Sequence, residues 1–316
     1  MRHGDLAFGR APPHSCPAMT VTIRPLHPSI GAEASGIDIG KPLTPGEAAA
    51  IEAGMDRHAV LVFHDQVITD EQQIRFSGYF GDLERTAGGN VRKPDEQRLS
   101  KEFADVSNLD HTGKLLAQND RNRMFNLGNT LWHSDSSFRA VPAKFSLLSG
   151  RVIPEQGPNT EFADMRAAYD ALDDDTKREC ENLVCRHSLM YSRGLLGFTE
   201  FSDEERAKFA PVRQRLVRRH PVTGRKSLFL ASHIGAIEGW PMPEARAFIR
   251  DLIEHATQRQ FVYAHKWRQN DLVMWDNRQT MHRVRRFKDT KYVRDVRRTT
   301  VAGDAPTISQ AMEGAA

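Results

Sequence analysis

The sequence predicts a mainly β fold with helices packed outside it, of the double-stranded β-helix or jelly-roll kind. Three observations point there. Short runs of strand character alternate along the chain with capped helical segments. The candidate metal ligands lie far apart, with His133 and Asp135 on one predicted strand and His282 on another, as ligands on distant strands of one barrel would. The 147 residues from Asp135 to His282 leave room for barrel strands and for helices outside them. Periodicity on its own does not establish this topology.

Residues 1–18 contain Arg, His and Pro and no apolar core of a signal peptide. They read as a disordered tail, with Met19 as a second candidate start. One domain is expected over 19–305, with 306–316 as a C-terminal tail. The N-terminal part reads as strand, helix, strand, helix. Thr44-Pro45-Gly46-Glu47 has the pattern of a capping box with Pro at the first helical position, opening a helix to about Asp56. The continuous apolar run Ala59–Phe63 reads as a buried strand. Thr69 and Gln72 form a second capping box, for a helix through Phe80 that Gly81 stops.

Residues 84–130 are polar, rich in Gly, Asn, Asp, Lys and Arg, and nearly aperiodic. A loop that long is usually functional or disordered, so the segment is expected to be a lid beside the metal strand. Ala104–Asn108 is a candidate short strand within it. Lys144–Val152 reads as a strand, and 154–159 as a turn. Asp164, Asp173 and Ser202 each open a short helix. Pro243–Gln258 is amphipathic and helical. Gln260–Trp267 alternates, and Gln269-Asn270-Asp271 is expected to turn it into Leu272–Trp275 as a hairpin.

The chemistry concentrates in Trp132-His133-Ser134-Asp135 and Trp275–His282, followed by Arg294 and Arg298. On a strand, His133 and Asp135 project to one face and Ser134 to the other. With His282 they would occupy one triangular face of an octahedron. Two imidazoles and one carboxylate with open positions favour Fe(II). A structural zinc site would close with four ligands, usually including Cys, and Cys16, Cys180 and Cys185 show no C-x-x-C spacing. An H-x-D pair alone is a weak signal among 13 His. The arginines strengthen it. Strand alternation puts Arg294 and Arg298 on one face and Arg297 on the other. A buried Arg needs an anion, so the pair suggests two carboxylates, one per Arg. The competing reading is a solvated basic edge strand.

These residues resemble the iron(II)/2-oxoglutarate-dependent dioxygenases of the taurine dioxygenase family, and within it the branch that acts on 2,4-dichlorophenoxyacetate (2,4-D). The resemblance runs from about Thr20 to Gly303 and rests on ordered blocks: Leu131–Phe138, Thr160–Leu172, His255–Arg259 and Asp271–Arg278. It implies that His133, Asp135 and His282 ligate the iron and carry the catalysis. It implies that Thr160 and Arg294 hold the far carboxylate of 2-oxoglutarate, and that Arg298 lies near the substrate's acidic group. Lys114 sits at about the position of a Lys linked to substrate in that branch. Asn129 reads as a turn-forming residue beside Gly128 that could also line the site.

The implied reaction consumes O2 and 2-oxoglutarate, releases succinate and CO2, and removes a hydrogen from a substrate carbon. An aryloxyacetate hydroxylated beside its ether oxygen would collapse to a phenol and glyoxylate. A sulfonate or another small aromatic acid would suit the same chemistry. A non-catalytic metal-binding barrel would not need Thr160 with Arg294. A zinc hydrolase would want a general base such as Glu, and none immediately flanks the H-x-D pair.

The apolar fraction of 39% describes a globular protein, and no run is long enough for a membrane span. Three Cys without a framework fit a reducing cytoplasm. A net charge of +3 does not call for a polyanionic partner. The cluster of Arg283, Arg285, Arg286, Lys288 and Lys291 lacks the interleaved aromatics of a nucleic-acid stacking platform. The expected partners are a small acidic substrate and O2, with no nucleic acid or membrane. The family resemblance implies a homo-oligomer, dimer or tetramer. His187, His220, His233, His255 and His265 are expected to be structural.

Overall fold

A computed structural model describes residues 21–85, 91–92 and 96–310; the expected tail at 1–18 lies outside these, as do Cys16 and residues 311–316. The chain opens with β1 (Thr22–Pro25), β2 (Ala32–Ser35), α1 (Pro45–His58), β3 (Val60–Phe63) and α2 (Asp70–Gly78). Both predicted capping boxes form. Thr44 Oγ1 accepts from Glu47 N at 3.2 Å and Thr69 Oγ1 from Gln72 N at 3.2 Å, while Glu47 and Gln72 reach back to the cap backbone. Each cap contributes about 1 kcal/mol.

The described part of the segment 84–130 is more structured than its composition suggests. It supplies β4 (Phe103–Asp105) and α3 (Arg121–Asn126). Ion pairing organises it: Asp105 holds both Arg92 and Arg98, and Arg98 also reaches Asp295 at 2.6 Å. Such long-range pairs leave no periodic trace in the sequence.

Next come β5 (Phe145–Val152), β6 (Thr160–Asp164), α4 (Met165–Asp170) and α5 (Asp174–Cys180). Asp164 and Asp173 cap the two helices as predicted. Then follow β7 (Val184–His187), α6 (Leu189–Gly194), α7 (Asp203–Lys208), β8 (Val212–Arg215), β9 (Val217–Arg219), β10 (Lys226–Leu228), β11 (Ile234–Ile237) and α8 (Met242–Ala256). The last elements are β12 (Val262–His265), β13 (Leu272–Asp276), β14 (Thr280–Val284) and β15 (Asp295–Val301).

The main sheet has seven strands in the order β1-β2-β3-β13-β5-β15-β4. Strand alternation divides its side chains between two cores. Leu61, Phe63, Phe145, Leu147, Leu272 and Met274 face Ile51 and Met55 of α1 and Phe76 of α2. Val60, Val62, Leu148, Val273 and Trp275 face the other way and pack with Phe162 and Trp267. Phe162 belongs to a second sheet, β12-β6-β14. The interior between these two sheets is where the functional residues converge. A third core, over α4, α8 and β11, covers the far side of β6 and β14 through Ala163 and Met281.

Two expectations are corrected. β12 and β13 do not form a hairpin. β12 pairs with β6, while β13 runs between β3 and β5 in the main sheet. The turn instead carries the chain from one sheet to the other, because Asp271 accepts from His64 and His265 and from Arg268 N, pinning the corner. Residues 307–310, expected as the start of a C-terminal tail, are held to the fold. Thr307 Oγ1 donates to Gln214 Oε1 at 2.6 Å and accepts from Arg215 N, and Gln310 Nε2 donates to Arg219 O.

Candidate active site

His282 lies on β14, directly paired with Phe162 of β6. His133 stands opposite it in an isolated antiparallel bridge, with His133 N donating to His282 O at 3.0 Å and His282 N to His133 O at 2.8 Å. The two rings therefore face the same way, 4.2 Å apart between centroids. The strand expected over Leu131–Asp135 is not continuous. After that single bridge the chain turns, with Ser136 at φ 54° and Arg139 N bonded to Ser136 O. His133 and Asp135 still converge: one ligand atom each from His133, Asp135 and His282 all lie within 4.8 Å of one another. His133 Nε2 is 3.8 Å from Asp135 Oδ1, and His282 Nε2 is 3.7 Å from Asp135 Oδ2.

The tautomer of His133 is set by its surroundings. Its Nδ1 lies 2.8 Å from Leu131 O, an acceptor, so Nδ1 carries the hydrogen and Nε2 presents its lone pair to Asp135 and His282. Burial holds both imidazoles below their ordinary pKa, which keeps them neutral and able to ligate. Burial alone would raise Asp135, but the charge of Arg298, the two histidines and the Ser146 hydroxyl outweigh it and bring its pKa down to about 2. Arg298 Nη1 donates to Asp135 Oδ1, and Ser146 Oγ donates to Oδ2 at 2.7 Å. Asn277 completes the frame. Its Oδ1 accepts from Asp135 N and from Trp275 Nε1, and its Nδ2 donates to Ser146 Oγ.

His133 and His282 line a cavity of about 1120 Å³, together with Thr160, Arg294, Arg298, Leu148 and Trp275. Arg294 is buried, and its Nε and Nη2 have no hydrogen-bond partner among the described residues. Desolvation brings its pKa down to about 10, so it stays charged at neutral pH. A buried guanidinium without a carboxylate is costly unless an anion completes it. The mouth is basic, with Arg285, Arg286, Lys288 and Lys291. The one acid among the lining residues, Asp289, is held by Arg123 in a bidentate pair at 2.9 and 3.0 Å. No other carboxylate lines this cavity among the described residues.

The model of the taurine catabolism dioxygenase TauD, TfdA family matches residues 22–300. The chain belongs to this family. A relative from Cupriavidus pinatubonensis, an alpha-ketoglutarate-dependent 2,4-dichlorophenoxyacetate dioxygenase, is 45% identical over 91% of this chain and 99% of its own length. The (S)-phenoxypropionate/alpha-ketoglutarate-dioxygenase of Sphingobium herbicidovorans is 38% identical over 89% of this chain and 95% of its own. Among solved structures, AAD-2 in complex with Mn(II) and N-oxalylglycine superimposes with a TM-score of 0.89 at 62% identity, covering 92% of this chain and 100% of that one. The protein is thus a TauD/TfdA-family dioxygenase.

Within this dioxygenase the structure brings together six of the seven predicted site residues. His133, Asp135 and His282 form the triad, and Thr160, Arg294 and Arg298 share its cavity. Arg297 points away, onto Asp70 and Asp295, as the alternation requires. Lys114 is not brought to the site. It is exposed in a turn closed by Asp110 N bonded to Lys114 O and Lys114 N bonded to Asp110 Oδ1. Asn129 does line the cavity, its Oδ1 accepting from Arg193 Nη2. Sequence reasoning missed Ser146 and Asn277. Asn277 lies in the polar run Asp276–Thr280, where nothing local separates it from its neighbours.

Proposed function

We propose that this dioxygenase uses Fe(II) and 2-oxoglutarate to hydroxylate an aryloxyacetate such as 2,4-D, giving a phenol, glyoxylate, succinate and CO2. The observation that carries the co-substrate is the buried Arg294 guanidinium, whose Nε and Nη2 have no hydrogen-bond partner among the described residues, in the same cavity as Thr160, His133 and His282. Two neutral imidazoles and one ionised carboxylate, with no thiolate, suit Fe(II). When bound, the iron supplies O2 activation coupled to oxidative decarboxylation of 2-oxoglutarate. The chain's own residues do the rest. His133, Asp135 and His282 hold the metal. Arg294 and Thr160 orient the far carboxylate of 2-oxoglutarate. Leu148, Trp275 and Val106 wall the reacting carbon off from water. Arg298 is assigned to the substrate's carboxylate, with one arm committed to Asp135. The two facing sheets fit a double-stranded β-helix over one domain.

The relatives' substrates support the aryloxyacetate over a sulfonate. The test is anaerobic loading with Fe(II) and 2-oxoglutarate, followed by 2,4-D. A visible charge-transfer band should form and then shift when 2,4-D arrives. Arg294→Ala should raise the 2-oxoglutarate needed for half-maximal band intensity by about 100-fold, the scale of a lost charge-assisted pair. A band that ignores 2,4-D would redirect the substrate to another acid. The absence of any band would sink the Fe(II)/2-oxoglutarate reading.

A further inference from the structure

We propose that Trp267 is a positioning residue for 2-oxoglutarate, its indole fixing the two groups that hold the far carboxylate. This rests on the reading above, in which Thr160 and Arg294 take that carboxylate. Trp267 follows β12 and is buried in the core between the two sheets, behind the residues that line the cavity. Its Nε1–H donates to Thr160 Oγ1 at 2.8 Å. An indole nitrogen is a donor only, so the threonine oxygen must be the acceptor in this contact. The Thr160 hydroxyl hydrogen is then left over, and Thr160 lines the cavity. A carboxylate accepts and never donates when ionised, so a hydroxyl locked as a donor matches it and one free to rotate matches it only part of the time.

The same ring supports the cation. Arg294 Cζ lies 5.8 Å from the Trp267 ring centroid, within cation–π reach. That contact holds the guanidinium in place while its Nε and Nη2 stay uncommitted. One aromatic side chain thus sets the direction of the neutral donor and the seat of the charged one.

Trp267 is itself fixed. β5 leaves room for it at Gly150, where a Cβ would come within 3.3 Å of Trp267 Cε3. The His265 ring meets it edge-on at 4.9 Å, and His265 is in turn held by Asp271 and faces the Tyr263 hydroxyl. The corner that moves the chain between sheets therefore also anchors the indole.

Trp267→Phe keeps an aromatic ring beneath Arg294 and removes the N–H together with part of the indole's packing, so the comparison that isolates the N–H is the double variant with Thr160→Val. Calorimetric titration of the Mn(II)-loaded protein with 2-oxoglutarate should show Kd raised about tenfold, the scale of one hydrogen bond. Thr160→Val should weaken binding comparably. Trp267→Phe added to Thr160→Val should cost less than about twofold more, because Trp267 acts through that hydroxyl. Unchanged affinity in Trp267→Phe would overturn the proposal while leaving the 2-oxoglutarate reading intact. Effects that multiply in the double variant would overturn it too. Failure of the unaltered protein to bind 2-oxoglutarate would overturn both. A second measurement needs no tryptophan variant. The chain has four Trp, and the indole N–H resonance that Thr160→Val moves should be the one that 2-oxoglutarate moves in the Zn(II)-loaded protein. If 2-oxoglutarate leaves that resonance in place, the proposal fails.

Discussion

Asp135→Ala should reduce Fe(II)-dependent turnover to background, and should do so more completely than either histidine substitution. Asp135 supplies the negative charge of the triad, and three groups converge on it: Arg298 and Ser146 on its two oxygens, Asn277 on its backbone N–H. Removing the carboxylate leaves Arg298 facing two neutral imidazoles with nothing to balance it. A cation then sits where another cation must bind. His133→Ala and His282→Ala each lose one ligand but leave the Arg298–Asp135 pair intact. Bound iron per chain should therefore fall furthest for Asp135→Ala, with succinate production lost in all three. His133→Ala retaining full activity would show that the metal assignment is wrong.

Asp276→Ala should be the most destabilising single change near the site, costing about 3–5 kcal/mol, as expected for breaking a buried, fully bonded ion pair. Asp276 has no solvent exposure. Its carboxylate accepts from Arg278 Nε and Nη2 at 2.9 and 2.7 Å, from Arg278 N, and from Gln279 Nε2, with His220 Nε2 at 3.2 Å. Its backbone oxygen takes the Thr280 hydroxyl. Truncation strips the buried Arg278 guanidinium of its hydrogen-bonded carboxylate, leaving it only the longer ion pairs with Asp56 and Asp304, and removes the acceptor of Gln279 Nε2. The pH dependence has a definite sign. Burial would raise the Asp276 pKa, but Arg278 and His220 hold it far below the usual carboxylate range. A depressed folded-state pKa contributes stability above the unfolded value, roughly pH 4, and loses it as the pH falls toward the folded value. Denaturant melts of the two proteins should thus differ most at neutral pH, and the gap should narrow below about pH 4. A gap independent of pH would mean that packing, and not the ion pair, carries the effect.

Local signals were the legible ones. The capping boxes at Thr44 and Thr69 and the caps at Asp164 and Asp173 need only a few adjacent residues, and all four form. The arginine alternation held because Arg298 and Arg297 lie on one regular strand. What failed depended on distant partners. A turn at Gln269-Asn270-Asp271 looks the same whether the next strand folds back or crosses to another sheet. The choice is made by His64 and His265 gripping Asp271, with His64 more than 200 residues away along the chain. The H-x-D residues come together by a route that strand alternation does not describe. Its residues converge through one bridge and a left-handed Ser136, where an extended strand was expected. Trp267 reads in the sequence only as the end of the alternating segment Gln260–Trp267, since nothing local says that its N–H meets Thr160.

The bridge between His133 and His282 joins positions 149 residues apart. During synthesis, the first two ligands leave the ribosome well before the third has been made. At about 5–20 residues per second the interval is on the order of ten seconds. Through that time the nascent chain holds a half-built ligand pair and the β5 face without its β13 and β15 neighbours. Assembly of the reactive centre is therefore a late event by construction, postponed until both flanking strands can close around β5. A premature stop between residues 257 and 282 would leave a polypeptide with α1 to α8 but no means of gathering the three ligands.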